Sequence, residues 1–167
     1  METKNKNALI GGLLAIVFVM AVGYAAFSTT LNINGTAEIT SKWDVHIKSI
    51  TAGTPVGTAK STKASLGESK LTAEFGTELV SPGDALTYTV VVENAGTLDA
   101  KLSSLTFTPG NNDAIIYSYN GIKQDDVIAA GDTQSFTVTV TYSSAITSQP
   151  ANTSSNLSMV MSYVQSA

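Results

Sequence analysis

Hydrophobic residues are distributed in two unlike ways along this chain. From Ala8 to Val22 (ALIGGLLAIVFVMAV) no charged or strongly polar side chain interrupts the sequence, and the apolar character continues through Gly23, Tyr24, Ala25, Ala26 and Phe27. Beyond Thr30 the apolar residues fall at alternate positions instead: Leu31, Ile33, Ala37 and Ile39, then Trp43, Val45 and Ile47 after a short Thr-Ser-Lys break. An unbroken run of this length predicts a helix apolar on every face, whereas period two predicts half-buried strands.

Further strands are expected over 70–75, 85–94, 100–108, 114–119, 133–142 and 156–164, separated by turn clusters such as Pro109-Gly110-Asn111-Asn112-Asp113. The stretch 51–69, rich in Gly, Thr, Ser and Lys, reads as a surface loop or weakly formed edge connection. One pattern occurs twice: Gly83-Asp84, three residues, Tyr88-Thr89-Val90-Val91-Val92, and Gly131-Asp132, three residues, Phe136-Thr137-Val138-Thr139-Val140. Glycine permits a turn closed to residues with a Cβ, aspartate caps it, and the aromatic and two valines then share one face. Gly83, Asp84, Gly131 and Asp132 are therefore structural turns at two equivalent strand entries. Many short strands so punctuated predict an all-β fold, an antiparallel two-sheet sandwich of Ig-like or jelly-roll-like kind, preceded by the N-terminal hydrophobic helix. Its core is expected from Trp43, Val45, Ile47, Leu71, Phe75, Leu86, Tyr88, Val90, Val92, Leu102, Leu105, Phe107, Ile116, Phe136, Val138, Val140, Leu157, Met159 and Met161.

Lys4 and Lys6 precede the apolar run, the order of a positively charged region followed by a hydrophobic one in an export signal. A core of about 15 residues suits a secretory signal, and counting on to Phe27 gives about 20, enough to span a bilayer. Residues 1–26 are accordingly expected to be a signal peptide or membrane anchor and 27–167 a β-sandwich domain. Cleavage candidates are the Gly23-Tyr24-Ala25 triplet and the bond between Ala26 and Phe27. If the segment stays in place, residues 8–27 hold the protein in the membrane. The lysines stay inside in either case, so the rest of the chain is expected outside the cell or on its surface.

Composition narrows the chemistry. Only 13% of the 167 residues are charged and the formal net charge is −4 with dispersed lysines, so there is no basic stripe to neutralise phosphates and nucleic acid is not an expected partner. Cysteine is absent, which removes disulfides and thiolate metal sites. His46, the only histidine, alternates with Val45 and Ile47 and is expected to face solvent. One histidine cannot furnish the paired ligands of an HExxH zinc site, and no Gly-x-Ser-x-Gly elbow accompanies it, so no catalytic residue is assigned and the protein is not expected to be an enzyme. No cofactor is expected either. Asn111, Asn112 and Asp113, with Asp125 and Asp126, could place oxygens for weak calcium binding, although no spaced calcium loop is present.

The signal ending Tyr24-Ala25-Ala26-Phe27, the extended segment immediately after it, and Ser81-Pro82-Gly83-Asp84 feeding a strand that ends in Asn94-Ala95-Gly96-Thr97-Leu98-Asp99 together resemble the camelysin and TasA family of bacterial surface and biofilm-matrix fibre proteins. The resemblance implies cleavage between Ala26 and Phe27 by a dedicated signal peptidase. It also implies self-association into fibres in which the freed N-terminal strand completes a neighbouring sandwich. Leu31, Ile33, Ala37 and Ile39 are the candidates for that strand, since an alternating apolar strand can add to an exposed sheet edge with its side chains in pockets. The protease activity associated with camelysin is not carried over, because no zinc-binding set exists here.

The expected function is thus a non-enzymatic structural subunit of a bacterial cell-surface or matrix fibre. The alternative is a membrane-anchored extracellular β-sandwich binding or adhesion module, whose ligand would stack on aromatics near Tyr117, Tyr119 and Asn120-Gly121.

Overall fold

The computed structural model describes residues 2–27 and 32–166, in two compact units, Met1–Ile39 and Thr40–Ala167. In the first, α1 spans Glu2–Phe27. Five consecutive residues, Ile16, Val17, Phe18, Val19 and Met20, are all more than half exposed. Because five residues exceed one helical turn, the apolar surface covers every face, and the helix has no polar side of the kind a surface helix carries. Described side chains in it run from residue 5 to residue 21, and among the described residues no helix is long and apolar enough to cross a membrane.

The second unit is built from antiparallel sheets. Its strands are β1 (Val45–Ala52), β2 (Lys60–Leu66), β3 (Ala73–Glu78), β4 (Ala85–Asn94), β5 (Ala100–Pro109), β6 (Ile115–Asn120), β7 (Val127–Ile128), β8 (Thr133–Tyr142) and β9 (Leu157–Gln165). A four-stranded sheet runs β1-β4-β8-β6, a three-stranded sheet runs β7-β5-β9, and β2 with β3 form a separate ribbon. One face of the four-stranded sheet supplies Leu86, Tyr88, Val90, Val92, Phe136, Val138 and Val140, each at most 5% exposed; Leu102, Ile122 and Ile128 close the same cluster, with Leu105, Leu157, Met159 and Met161 packed against it. Strict alternation along β4 and β8 is what puts Leu86, Tyr88, Val90, Val92, Phe136, Val138 and Val140 on that face and Val91 and the threonines on the other.

The repeated sequence has a geometric explanation. β4 and β8 are neighbours, paired from Ala85↔Thr141 to Glu93↔Thr133, with Thr89 opposite Thr137. Each strand is entered through a turn in which the Asp N–H bonds three residues back, Asp84 to the Ser81 carbonyl and Asp132 to the Ala129 carbonyl, both at 3.0 Å. Gly83 at φ +94° and Gly131 at φ +83° occupy the third position, as a type II turn requires. Each turn then grips the end of the other strand: Gly83 donates to the Tyr142 carbonyl (2.9 Å) and Gly131 to the Asn94 carbonyl (2.8 Å), with return bonds from Tyr142 N to Asp84 O and from Asn94 N to Asp132 O. Two copies of one sequence thus brace each other about the Thr89–Thr137 pair.

Several expectations are corrected. The described residues of the anticipated first strand, 32–39, belong to no strand, and Leu31 lies outside the described residues. The presumed loop 51–69 contains β2, and the expected strand at 70–75 forms three residues later as β3. β6 is shifted by one residue in phase: Ile115 and Tyr117 pack on the core while Ile116 is 50% exposed. Trp43 and Leu71 are exposed as well, because Trp43 precedes β1 and Leu71 sits in the β2–β3 turn, where neither is held by a ladder. Ile50, Ile122 and Ile128 take up core positions that alternation alone did not single out.

Candidate functional site

A groove of about 430 Å³ opens between β1 and β9. Val45, Ile47 and Ile50 form one wall, Met159, Met161 and Tyr163 the other, and the floor is the core itself, where Val90, Val92, Phe136 and Val138 line it. Among the described residues β9 is at the outer end of its sheet, bonded only to β5. At nine residues it is longer than any other strand at the end of a sheet, and LSMVMSYVQ contains no charge and no proline. Sheet edges left free in this way invite a further strand, and proteins ordinarily blunt them with lysine, proline or brevity. β1, on the opposite wall, follows that practice with His46 and Lys48. The three-stranded sheet, one of whose members is only two residues long, thus ends on the groove with an apolar wall and an unpaired backbone.

Tyr163 adds a polar requirement. Its hydroxyl is buried and has no hydrogen-bond partner among the described residues, a costly condition for a buried donor. Burial pushes its phenol up to about 12, and the Asp126 carboxylate adds to the shift. At the rim, His46 is not solvent-facing as expected. Its side chain is 16% exposed, with Nδ1 3.0 Å from Asp44 Oδ1 and Nε2 3.4 Å from Glu93 Oε2. Lys42 and Lys48 complete the set at 2.6 Å from Asp44 and 2.8 Å from Glu93. The hydrogen bond from Lys42 is the first cause holding the Asp44 carboxyl below its usual range, and that from Lys48 does the same for Glu93.

The segment that leads into this unit is moored by the motif after β4. Lys42 N donates to Thr97 Oγ1 and Thr97 N to the Lys42 carbonyl, both at 2.9 Å, while Ala95 N donates to the Asp44 carbonyl at 2.8 Å. The approach is close enough to demand glycine: a Cβ on Gly96 would stand 2.6 Å from the Lys42 oxygen. Asn94, wholly buried, organises the same corner by donating to the carbonyls of Leu98 (2.8 Å) and Ile128 (3.0 Å) and accepting from Gly96 N (3.1 Å). Before Lys42 the character changes. Ile33 is 96% exposed and Ile39 90%, Ala37 is exposed too, and none of the three lies in a strand.

The two entry aspartates differ. Asp84 is buried and accepts four hydrogen bonds, from Thr58 N (2.8 Å) and Thr58 Oγ1 (2.7 Å), Val80 N (2.8 Å) and Ser81 N (2.9 Å), which hold its carboxyl far below the usual carboxylate range, the Ser81 amide foremost. Asp132 is exposed. Asp84 therefore ties β4 to the β1–β2 connection as well as capping its own turn, a role the sequence pattern did not signal.

The other candidates are accounted for locally. α1 continues through Ala26 and Phe27, so the proposed cleavage bond lies at a helix end. Asn112 caps its own turn through Ala114 N and reaches the Asn152 and Ser154 carbonyls, Asp125 pairs with Lys101 at 2.7 Å, and Asp126 accepts from Lys123 N and Gln134. Among the described residues no group of three or more acidic or histidine side chains could hold a metal ion. Tyr117 is part of the core's edge and donates to the Ser155 carbonyl, and Tyr119 stacks on Phe107 with ring centroids 4.8 Å apart, so these two tyrosines do not form one open platform. What sequence reasoning missed is the groove: the residues of its floor, with Met159 and Met161 of the β9 wall, were expected in the core, but nothing in an alternating pattern tells which strand ends a sheet. Compared with known proteins, the chain matches no protein-family model, no curated protein and no solved structure.

Proposed function

We propose that this protein is an exported, non-enzymatic structural subunit of a bacterial cell-surface or matrix fibre, folded as a two-sheet β-sandwich and joined to its neighbours by strand addition. The observation that carries this reading is a pairing of opposites within one chain. An alternating apolar segment, Leu31, Ile33, Ala37 and Ile39, has described residues that are exposed and in no strand, while a groove floored by core residues runs along the uncharged free edge of β9. A strand laid along β9 would place alternate side chains over Val90, Val92, Phe136 and Val138 and satisfy the edge amides and carbonyls. The segment from Leu31 to Ile39 has the nine residues of β9. When the segment comes from another copy, the contact is heterologous and does not close, so it propagates as a filament.

The apolar run 8–27 after Lys4 and Lys6 supports export, with removal before Phe27 freeing the segment for pairing and retention of residues 8–27 anchoring the subunit in the membrane. Assignment to the camelysin and TasA family belongs to this proposal and rests on the quoted motifs. The test is intact mass and N-terminal sequencing of protein recovered from cells and medium, with electron microscopy of the same fractions. Chain beginning at Phe27 and found in filaments is the expected result. Full-length chain confined to membranes, without filaments, would overturn it.

A further inference from the structure

The chain contains two Asn-Gly pairs, Asn34-Gly35 and Asn120-Gly121. This dipeptide is chemically labile because glycine has no Cβ to hinder its own backbone nitrogen from approaching the preceding side-chain amide. The two pairs have opposite surroundings. Asn120 ends β6 and is paired with Thr137, and Gly121 is fixed at φ +92° with a hypothetical Cβ only 3.4 Å from Phe136 Cα. Asn34 and Gly35 are exposed, lie in no strand, and no heavy atom stands within 4 Å of a Cβ placed on Gly35. Attack requires the Asn backbone to swing out of the extended conformation. A ladder opposes that rotation at Asn120, and none does at Asn34.

We propose that Asn34 is a spontaneous deamidation site that limits how long the free N-terminal segment remains able to pair. The Gly35 backbone nitrogen, giving its proton to solvent, attacks Asn34 Cγ. The new N–Cγ bond closes a five-membered succinimide as the Cγ–NH2 bond breaks and ammonia leaves. Water then opens the ring at one of its two carbonyls. Opening at the main-chain carbonyl gives isoaspartate, with the backbone rerouted through the side chain and one methylene longer; opening at the other gives aspartate. One water is consumed and one ammonia released, with no oxidant or enzyme.

The position makes the lesion matter. Leu31 and Ile33 lie on one side of Asn34, Ala37 and Ile39 on the other, and only strict period two holds all four on a single face. An extra backbone atom between them puts the halves out of phase, as a register slip does, and the new carboxylate adds charge to a segment meant to lie on an apolar groove. Pairing in a sheet would hold Asn34 extended and so protect it. The consequence for pairing rests on the strand-addition reading above, whereas the modification itself does not.

The test follows the full chain during incubation at neutral pH, by peptide mapping for conversion of amide to acid and by isoaspartyl methyltransferase labelling. Wild type, Gly35→Ala and the filament fraction are run in parallel. Conversion at Asn34 is expected to be roughly tenfold or more faster than at Asn120, which must wait for local opening of β6. It should be slowed by Gly35→Ala and in filaments, and aged wild type should assemble less than aged Gly35→Ala. Equal rates at Asn34 and Asn120 in free chain would overturn the proposal, as would aged, converted chain that assembles like fresh chain. Fresh chain that never assembles while Asn34 converts would uphold the modification site but overturn the strand-addition reading and the timing role with it.

Discussion

β4 and the segment 32–39 carry the same alternation of apolar and polar residues, yet they live in opposite circumstances. β4 lies between β1 and β8, paired along both edges, and buries every second side chain in the core. The segment has Ile33 and Ile39 at 96% and 90% exposure and no ladder of its own. Alternation therefore specifies a strand with one apolar face but does not specify the partner, which for β4 is provided at its ends. There, the Gly83 and Gly131 turns, Asp84 and Asn94 fix both register and neighbours. Nothing comparable follows Ile39 until Lys42 docks on Thr97.

The strongest way to sharpen this contrast is to cut into β4. Leu86→Ala, at a side chain 1% exposed, should lower stability by about 2–5 kcal/mol, because the cavity cost adds to the lost transfer energy. A shift of the urea midpoint at unchanged slope would measure it. Asn94→Ala tests the ends of the strand instead of its middle. It removes the donor to the Leu98 and Ile128 carbonyls and leaves buried acceptors unpaired, and the loss should be roughly 1–3 kcal/mol by the same assay.

Next in size, the twin aspartates should separate under acid. The Asp84 carboxyl is depressed in the folded state by the amides that bond it, so its stabilisation is fully present above the ordinary carboxylate range and is lost as pH falls through the lower folded value. Asp84→Asn should reduce the midpoint at neutral pH and flatten the acid limb of the stability curve, while Asp132→Asn at an exposed site should leave both within ordinary surface-substitution limits. Equal effects of the two substitutions would show that the turn alone, and not the bonds to Thr58, Val80 and Ser81, gives Asp84 its weight.

Legibility followed the same divide. The central strands could be read to the residue, 85–94 and 133–142, because pattern and turn chemistry agree there and both faces are decided by burial. β6 was misphased because Ile115 and Ile116 are adjacent and either could face inward; the choice is made by Tyr117, whose hydroxyl reaches the Ser155 carbonyl. β2 is not legible because its side chains are nearly all exposed and it has no apolar face to read, its place being set by the ladder to β3, which Tyr88 in turn holds by donating its hydroxyl to the Gly76 carbonyl at 2.6 Å. The groove was not legible at all, because the position of β9 at the end of its sheet among the described residues is a property of the whole sheet order and not of any local sequence.

The smallest effect on the isolated chain is also the one that bears most on function. Ile33→Asn with Ile39→Asn replaces two side chains that are almost wholly exposed, so the denaturation midpoint should move by no more than about 0.5 kcal/mol. Filament formation, measured by sedimentation and electron microscopy, should nevertheless be lost, because the same two residues would supply the large apolar contacts of an added strand. Met159→Lys, on the groove wall, should also abolish filaments, but at a cost in stability since Met159 packs on the core. Mixing the two variants then separates donor from acceptor. Each keeps one intact half, so the pair should form dimers that cannot extend. A double variant in Ile33 and Ile39 that still polymerises would mean that the exposed alternation of 31–39 is not what joins the subunits, and the contrast with β4 would then reduce to a difference in local order alone.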